Sequence, residues 1–247
     1  MNKLSYLALG AALLTTLPAF HPAAATPAAA VAPAEDPRRE VRPVADFSEV
    51  SLASSVEVEV RQGSTQRVEV IGAAADLARL ETTVTNGRLR IGTKEQKGFS
   101  WKDFSGKVKV LVTAPQVKLL AVSGSGVLRA PEALRTNALR LSVSGSGRLQ
   151  APVQAQGAVE ASVSGSGSID VSGSAPSLSV AISGSGRVQA AELRVEAATA
   201  RLSGSGSCRL QARQTLDAHI SGSGSVQYTG QPRITKHISG SGRVVGS

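Results

Sequence analysis

The chain has 247 residues, of which 41% are hydrophobic, 18% charged and only 3% aromatic. Its formal net charge is +9, and residues 123–247, with 12 basic and 6 acidic side chains, contribute 12 − 6 = +6 of that charge. This length supports one domain with its own core, while the composition excludes a core built on aromatic rings and the single cysteine excludes an internal disulfide.

Residues 1–25 have the pattern of an export signal. Lys3 supplies the positive start, an apolar stretch follows, and alanines at 23–25 form a small-residue cleavage site. The alternative is an uncleaved membrane anchor, although Pro18 interrupts an apolar run that is short for a bilayer span. We therefore predict an exported protein that is periplasmic, or secreted and at the cell surface.

Residues 26–44 are rich in proline and alanine and then charged, which predicts a disordered tether. A single all-β domain is predicted for 45–247. Within it, residues 45–122 contain short alternating stretches and an Asn86–Gly87 dipeptide typical of a hairpin turn. They are expected to form a partly antiparallel N-terminal cap and the first strands.

A loop at 98–105 interrupts the strand pattern of this region. It contains Phe99, Trp101 and Phe104, interleaved with lysines. Such aromatic side chains beside cations form a candidate platform for a sugar or protein ligand. The alternative is that the rings fold back and close the end of the domain.

The tetrapeptide Ser-Gly-Ser-Gly occurs seven times in residues 123–247. Successive copies are 21, 20, 19, 20, 18 and 18 residues apart. Apolar residues alternate with polar ones on both sides of each copy, and the alternation continues through it without a change of parity. Both glycines of each copy share the parity of the apolar, inward-facing residues, whereas the serines share that of the outward-facing ones. The corner glycines are Gly124, Gly126, Gly145, Gly147, Gly165, Gly167, Gly184, Gly186, Gly204, Gly206, Gly222, Gly224, Gly240 and Gly242.

Unbroken parity indicates a strand that bends at the glycines and continues, because a two- or four-residue hairpin loop would reverse the facing. Bends repeated about every 20 residues predict a parallel β-solenoid whose successive coils bury each other. A three-residue loop preserves parity, so an antiparallel meander is the alternative.

Several ordered motifs resemble one bacterial family. They are the series VSGSG, ISGSG and LSGSG, together with DFSEVSL at 46–52, TNGRLRI at 85–91 and VQYTGQP at 226–232. The chain is similar over residues 45–247 to the family called putative auto-transporter adhesin, head GIN domain. The resemblance implies a right-handed parallel β-helix without an established activity.

The sequence contains no catalytic constellation that we recognise. Sugar-cleaving β-helix enzymes need clustered carboxylates or calcium with a basic residue, but the six acidic residues of 123–247 do not recur at matching positions. His219 and His237 lie on adjacent coils and face outward, yet their column supplies no third ligand, so no metal and no cofactor are predicted. Cys208 falls in the inward column and is predicted to be buried and inert.

We therefore expect an exported, non-catalytic, adhesin-like binding module at the cell envelope. Its expected partners are an envelope glycan or a protein, but not nucleic acid, which an exported protein does not normally meet. The alternative is a carbohydrate-active enzyme on the same scaffold, and a minor alternative is an outward hydroxyl lattice that binds ice or glycan. The last coil, with Ile238, Val244 and Val245, is expected to mediate self-association.

Overall fold

The structure is a computed structural model that describes residues 37–94, 104 and 106–247. The predicted export signal, the first part of the predicted tether, and Phe99 and Trp101 lie outside these residues. One helix, α1 (Ala74–Arg79), is present in the described part. None of the helical structure described there is long and apolar enough to cross a bilayer.

Strands make up about 70% of the described chain. They are β1 (Arg38–Arg42), β2 (Glu49–Ala53), β3 (Glu57–Gln62), β4 (Arg67–Gly72), β5 (Leu80–Thr85), β6 (Arg88–Thr93), β7 (Lys109–Ala114), β8 (Leu119–Gly124), β9 (Val127–Arg129), β10 (Leu134–Thr136), β11 (Leu139–Gly145), β12 (Arg148–Ala155), β13 (Ala158–Gly165), β14 (Ser168–Ser174), β15 (Ser177–Gly184), β16 (Arg187–Gly204), β17 (Ser207–Gly222), β18 (Ser225–Thr229), β19 (Arg233–Ser239) and β20 (Arg243–Gly246).

The strands stack in two parallel ladders. The ladder that leads into the motif, called the motif face, has the order β6, β2, β8, β11, β13, β15, the last part of β16, the last part of β17, and β19. The second face continues from the motif and has the order β7, β3, β9, β12, β14, the first parts of β16 and β17, β18 and β20. One coil is one passage over both faces, and the stack has about six turns. The parallel β-solenoid is thus confirmed.

The N-terminal part is antiparallel within residues 45–122, as predicted, and also at β1, which forms an ordered strand in residues 38–42 where a disordered tether was predicted. β5 and β6 form a hairpin whose turn residues, Asn86 and Gly87, have φ values of 52° and 73°. This pair of positive φ angles suits the tight turn that Asn-Gly favours. β4 pairs antiparallel with both β1 and β7. Two antiparallel units therefore lie at this end of the stack.

The core is thin and aliphatic. Three inward columns run along the stack, and their members are at most 3% exposed. They are Leu120, Leu141, Ala161, Val180, Ala200 and Ala218; Val122, Val143, Val163, Ile182, Leu202 and Ile220; and Leu128, Leu149, Ile169, Val188, Cys208 and Val226. Each coil contributes one small or branched side chain to each column, which packs on equivalents above and below.

Pairing between coils is regular on the motif face and irregular elsewhere. From β8 to β19 the motif-face strands pair residue for residue without a shift. Register shifts occur between Asp170 and Gly173 of β14, and between Ala190 and Arg194 and between Val195 and Ala197 of β16. These shifts lie on the second face and at the corner that returns to the motif face, which we call the return corner.

Candidate binding surface

The motif forms the corner between the two faces, and its two glycines have different roles. In one motif, Val143 and Gly147 are buried whereas Ser144 and Ser146 are exposed. A Cβ on Gly147 would lie 2.5 Å from Cγ1 of Val122, so this glycine faces the core. Gly145 instead has φ +108°, and its Cβ would lie 3.0 Å from the carbonyl oxygen of Gly124.

The expectation that both glycines face inward is therefore wrong for the first glycine. A side chain at the first glycine would point along the stack, toward the backbone of the preceding coil. The alternation of residues in the sequence could not reveal this direction. A positive φ angle rotates the Cα substituent out of the regular inward and outward alternation of a strand. The second glycine does face inward, where the side chain of the preceding coil occupies the space.

Backbone hydrogen bonds continue through the corner. The Ser146 amide donates to the Gly124 carbonyl at 3.1 Å, and the Arg148 amide donates to the Gly126 carbonyl at 3.0 Å. The same two bonds recur from coil to coil, for example from Ser166 to Gly145 at 3.0 Å. Because the corner backbone satisfies itself in this way, it does not require the serine hydroxyls as partners.

A shallow groove runs along the motif face beside the corner, and we call it the serine groove. One wall is the first serine of successive motifs, and the other is the outward residue two positions earlier. Its volume is about 800 Å³. The walls are Ser144, Ser164, Ser183, Ser203, Ser221 and Ser239 on one side, and Ser142, Ser162, Ala181, Arg201, His219 and His237 on the other.

The motif hydroxyls in this groove are available to a ligand. All the wall serines of the motif are exposed. Within residues 106–247, no hydrogen bond joins one motif hydroxyl to another, and Ser162 Oγ, on the opposite wall, donates to the Leu141 carbonyl at 3.4 Å. The stacked motif hydroxyls therefore do not satisfy one another in the part of the chain described. Their donors and acceptors face solvent.

The second serines of the motifs line a smaller groove on the other side of the corner. It has a volume of about 370 Å³ and also contains Arg148 and Arg187. Nε of Arg148 donates to Oγ of Ser168 at 3.4 Å, and Nε of Arg187 donates to Oγ of Ser207 at 3.4 Å. These pairs join adjacent coils. The guanidinium groups make this groove cationic, unlike most of the serine groove.

A cluster of acids and cations lies near the N-terminal end, on the outward side of β3. Nζ of Lys109 is 2.8 Å from Oε2 of Glu59, Nη2 of Arg61 is 2.6 Å from Oε1, and Nη2 of Arg129 is 3.3 Å from Oε2. The hydrogen bond from Lys109, and after it Arg61, lowers the pKa of Glu59 from 4.5 to about 2, although burial acts in the opposite direction. Glu57 joins the cluster through Arg129 at 3.0 Å.

This cluster does not have the properties of an acid–base site. The Glu59 side chain is only 4% exposed and is saturated by cations, so it cannot reach a substrate. A general acid needs a pKa near the working pH, and that of Glu59 is far below it. The cluster instead ties together β3, β7 and β9, whose order in the stack differs from their order in the chain.

The two histidines face outward on adjacent coils, as expected. Their ring centroids are 4.8 Å apart with an interplanar angle of 18°. The sequence analysis missed Asp217, which lies two residues before His219 on the same face of β17. Its carboxylate oxygens are 3.1 and 3.2 Å from Nε2 of His219. The Asp-x-His spacing is the signal that could have indicated this contact, because alternate strand residues share a face.

The described part of the aromatic loop lies against the core. Phe104 is half-buried, packs on the hydrophobic cluster and lies 5.4 Å from the Arg79 guanidinium carbon along a cation–π contact. This placement agrees, for Phe104, with the alternative in which the aromatic rings fold back onto the domain instead of forming a ligand platform. Phe99 and Trp101, the other candidates for a ligand platform, lie outside the described residues.

Cys208 is fully buried in the inward column between Val188 and Val226. Burial disfavours the charged thiolate and raises the pKa of its thiol to about 12. A thiol with so small a thiolate fraction is a poor nucleophile and metal ligand. Cys208 therefore acts as a small apolar side chain in the core.

Comparison with known proteins places this fold in context. The profile of a family described as "Putative auto-transporter adhesin, head GIN domain" matches residues 46–232. No curated protein matches the sequence significantly. A putative adhesin from Bacteroides fragilis has a similar structure, with a TM-score of 0.77 and 22% identity over 87% of this chain and 97% of that chain.

Two further solved structures are similar over 86% of this chain and 97% of their own chains. A putative lipid binding protein from Parabacteroides distasonis has a TM-score of 0.70 and 25% identity. A putative adhesin from Parabacteroides merdae has a TM-score of 0.69 and 20% identity. At this level of identity, the similarity shows a common solenoid fold.

Proposed function

This chain belongs to the bacterial family of putative auto-transporter adhesin, head GIN domains, and from that membership we propose that it is an exported, non-catalytic binding module of the cell envelope. Adhesin-like proteins act outside the cytoplasm, which agrees with the export signal predicted for residues 1–25. The proposed ligand is an extended glycan that lies along the serine groove.

The observation that carries this proposal is the row of unengaged hydroxyls in the serine groove. Parallel stacking repeats each wall position once per coil, at a spacing of about 4.8 Å. A glycan presents hydroxyls of the same donor and acceptor character, so a linear chain can exchange its water hydrogen bonds for bonds to successive coils. The groove is open along its length and held by a regular backbone ladder, so little ordering is needed on binding.

The non-catalytic part of the proposal is supported by the Glu59 cluster. Carboxylates and cations also meet at a pocket of about 430 Å³ lined by Glu49, Lys118, Arg140 and Glu160, but the Glu59 cluster is the more buried of the two. Its central carboxylate is buried and its pKa is about 2. This cluster therefore supplies neither an acid nor a base for sugar cleavage.

Binding of the purified protein to arrayed envelope polysaccharides tests the groove. Ser164→Trp places a large side chain on the groove wall and is expected to weaken binding at least tenfold. Ser166→Trp is the matched control, because Ser166 belongs to the same motif but lines the other groove. Equal binding by the two variants, or binding only to lipid on a parallel lipid array, would overturn the assignment of a glycan to this groove.

Export is tested separately by fractionation and N-terminal sequencing. The exported protein is expected to begin after Ala25 or a neighbouring alanine, because signal peptidase accepts small residues at this position. Exported protein that still begins at Met1 would support the anchor alternative.

A further inference from the structure

We propose that Asp217, His219 and His237 form a binding site for a divalent transition-metal ion such as Zn²⁺. The three residues come from two adjacent coils near the end of the stack. His219 and His237 also line one end of the serine groove, but the metal proposal does not require a glycan to bind there.

The backbone fixes the three positions relative to one another. In the parallel pairing of β17 with β19, His219 lies directly opposite His237. Asp217 lies two residues before His219, so its side chain points to the same outward face. One ligand atom from each residue lies within 4.8 Å of the other two. Thr199 and Thr235 lie opposite Asp217 on the neighbouring strands, and the Asp217 side chain as a whole is 43% exposed.

The distances are close to those that a metal requires. Tetrahedral Zn²⁺ has bonds of about 2.0–2.2 Å to nitrogen and oxygen, which places its ligand atoms about 3.3–3.6 Å apart. Nε2 of His219 and Oδ1 of Asp217 are already 3.1 Å apart. In the stack the two ring planes differ by only 18°, so the exposed His237 side chain must rotate out of the stack to direct a ring nitrogen at the same point.

Both carboxylate oxygens of Asp217 lie near His219, and Oδ1 is 3.1 Å from Nε2. Nε2 of His219 meets Oδ2 of Asp217 with hydrogen-bonding geometry at 3.2 Å. Oδ1 is shielded from solvent and has no hydrogen-bond partner among the described residues. A shielded oxygen without a donor is unfavourable, and a bound cation would satisfy it. Two imidazoles and one carboxylate are a ligand set that suits Zn²⁺ and related ions.

One neighbour opposes a cation at this site. Arg201 is paired with His219 on the preceding coil and faces the same side. Its charge is expected to weaken metal binding without preventing it, because the guanidinium is exposed and solvent screens it. Arg201→Ser is therefore expected to tighten binding, which a site formed elsewhere on the chain would not show.

Calorimetric titration of the metal-free, full-length protein with Zn²⁺ tests the proposal. One Zn²⁺ is expected to bind per chain and to raise the melting temperature. His237→Ser and Asp217→Asn are each expected to weaken binding at least tenfold and to abolish the rise in melting temperature. Far-UV circular dichroism and melting without metal check that these outward substitutions leave the fold intact.

Two matched controls make the outcome decisive. Glu160→Gln removes an exposed carboxylate of the motif face on another coil, and Asp170→Asn removes an exposed carboxylate of the second face. Both variants are expected to bind Zn²⁺ like the unaltered protein. The proposal is overturned if no saturable binding is seen, if Asp217→Asn binds as tightly as the unaltered protein, or if either control weakens binding as much as His237→Ser.

Discussion

The amide of Gly167 donates a hydrogen bond of 2.9 Å to the carbonyl oxygen of Gly145 on the preceding coil. This contact joins the second glycine of one motif to the first glycine of another. It requires the two corners to approach so closely that no Cβ fits between them. The two glycines of a motif are therefore constrained for different reasons, one by its φ angle and the other by the core.

Alanine substitutions at one corner test this distinction. Gly165→Ala is expected to lower the free energy of unfolding by about 1–3 kcal/mol because its φ of +111° is strained for an L-residue. Gly167→Ala is expected to cost a similar amount, about 1–3 kcal/mol, because its Cβ would lie 2.5 Å from Val143 Cγ1. Ser166→Ala, between them, should change stability by less than about 0.5 kcal/mol. Denaturant unfolding measures all three, and a harmless Gly165→Ala would refute the strained corner.

The Glu59 cluster predicts a pH-dependent contribution to stability. The folded pKa of Glu59 is about 2, below the ordinary value of 4.5, so folding favours the charged form. This stabilisation is fully present above about pH 4.5 and is lost as the pH falls toward 2. The shift corresponds to on the order of 3 kcal/mol. Glu59→Gln should lower stability by about this amount at pH 7, and the difference should shrink as the pH falls from 4.5 to 2.

Glu160→Gln is the control for the preceding variant. It removes an ion pair of 2.8 Å with Arg140 in which both side chains are at least 51% exposed. Exposed pairs contribute less than about 1 kcal/mol. Unfolding titrations over pH that show equal losses for Glu59→Gln and Glu160→Gln would contradict the special position of Glu59.

Cys208 is expected to be chemically silent in the folded protein. Its pKa of about 12 leaves almost no thiolate at pH 8, and the side chain is not accessible. A thiol reagent should therefore modify the native protein only at the rate of unfolding, and should react at once in guanidinium chloride. Rapid and complete labelling of the native protein would show that the inward column is open at this coil.

The last coil is expected to mediate pairing of two copies. Ile238 of β19 and Val245 of β20 are 40% and 46% exposed, and both strands pair on one side only within the described chain. Ile238→Lys is expected to weaken the pairing. Because Arg233, Lys236 and Arg243 lie on these strands, added salt should strengthen it by screening repulsion. Light scattering at about 100 µM that detects only monomer at all salt concentrations would exclude a micromolar dimer.

The alternation of the sequence predicted much of this fold for a physical reason. In a strand, parity records the side that each residue faces, and the parity of Val143 and Leu149 continues across the motif between them. That continuity distinguished a bend from a short hairpin before any contact was known. The Asn86–Gly87 turn was predictable in the same local way, because few dipeptides accept two positive φ angles.

Features that depend on how distant segments stack could not be predicted. β2 lies between β6 and β8, so Leu52 is placed between Ile91 and Val122. No local pattern records this order. The Glu59 cluster follows from it, since its cations come from three separate strands. The proximity of Asp217 to His237 likewise depends on the register between β17 and β19, which the spacing of single motifs does not determine.

The return corner gives the solenoid a place where chain length can vary. Motif copies are 18 to 21 residues apart, yet the motif face pairs without a shift from β8 to β19. Between β16 and β17, for example, the surplus residues of β16 are taken up at the bulges near Ala190 and Val195. Short insertions and deletions on that side should therefore be tolerated, and a foreign peptide grafted there would be displayed away from the serine groove. Whole coils can be duplicated on the same principle, which lengthens the groove by one identical step each time.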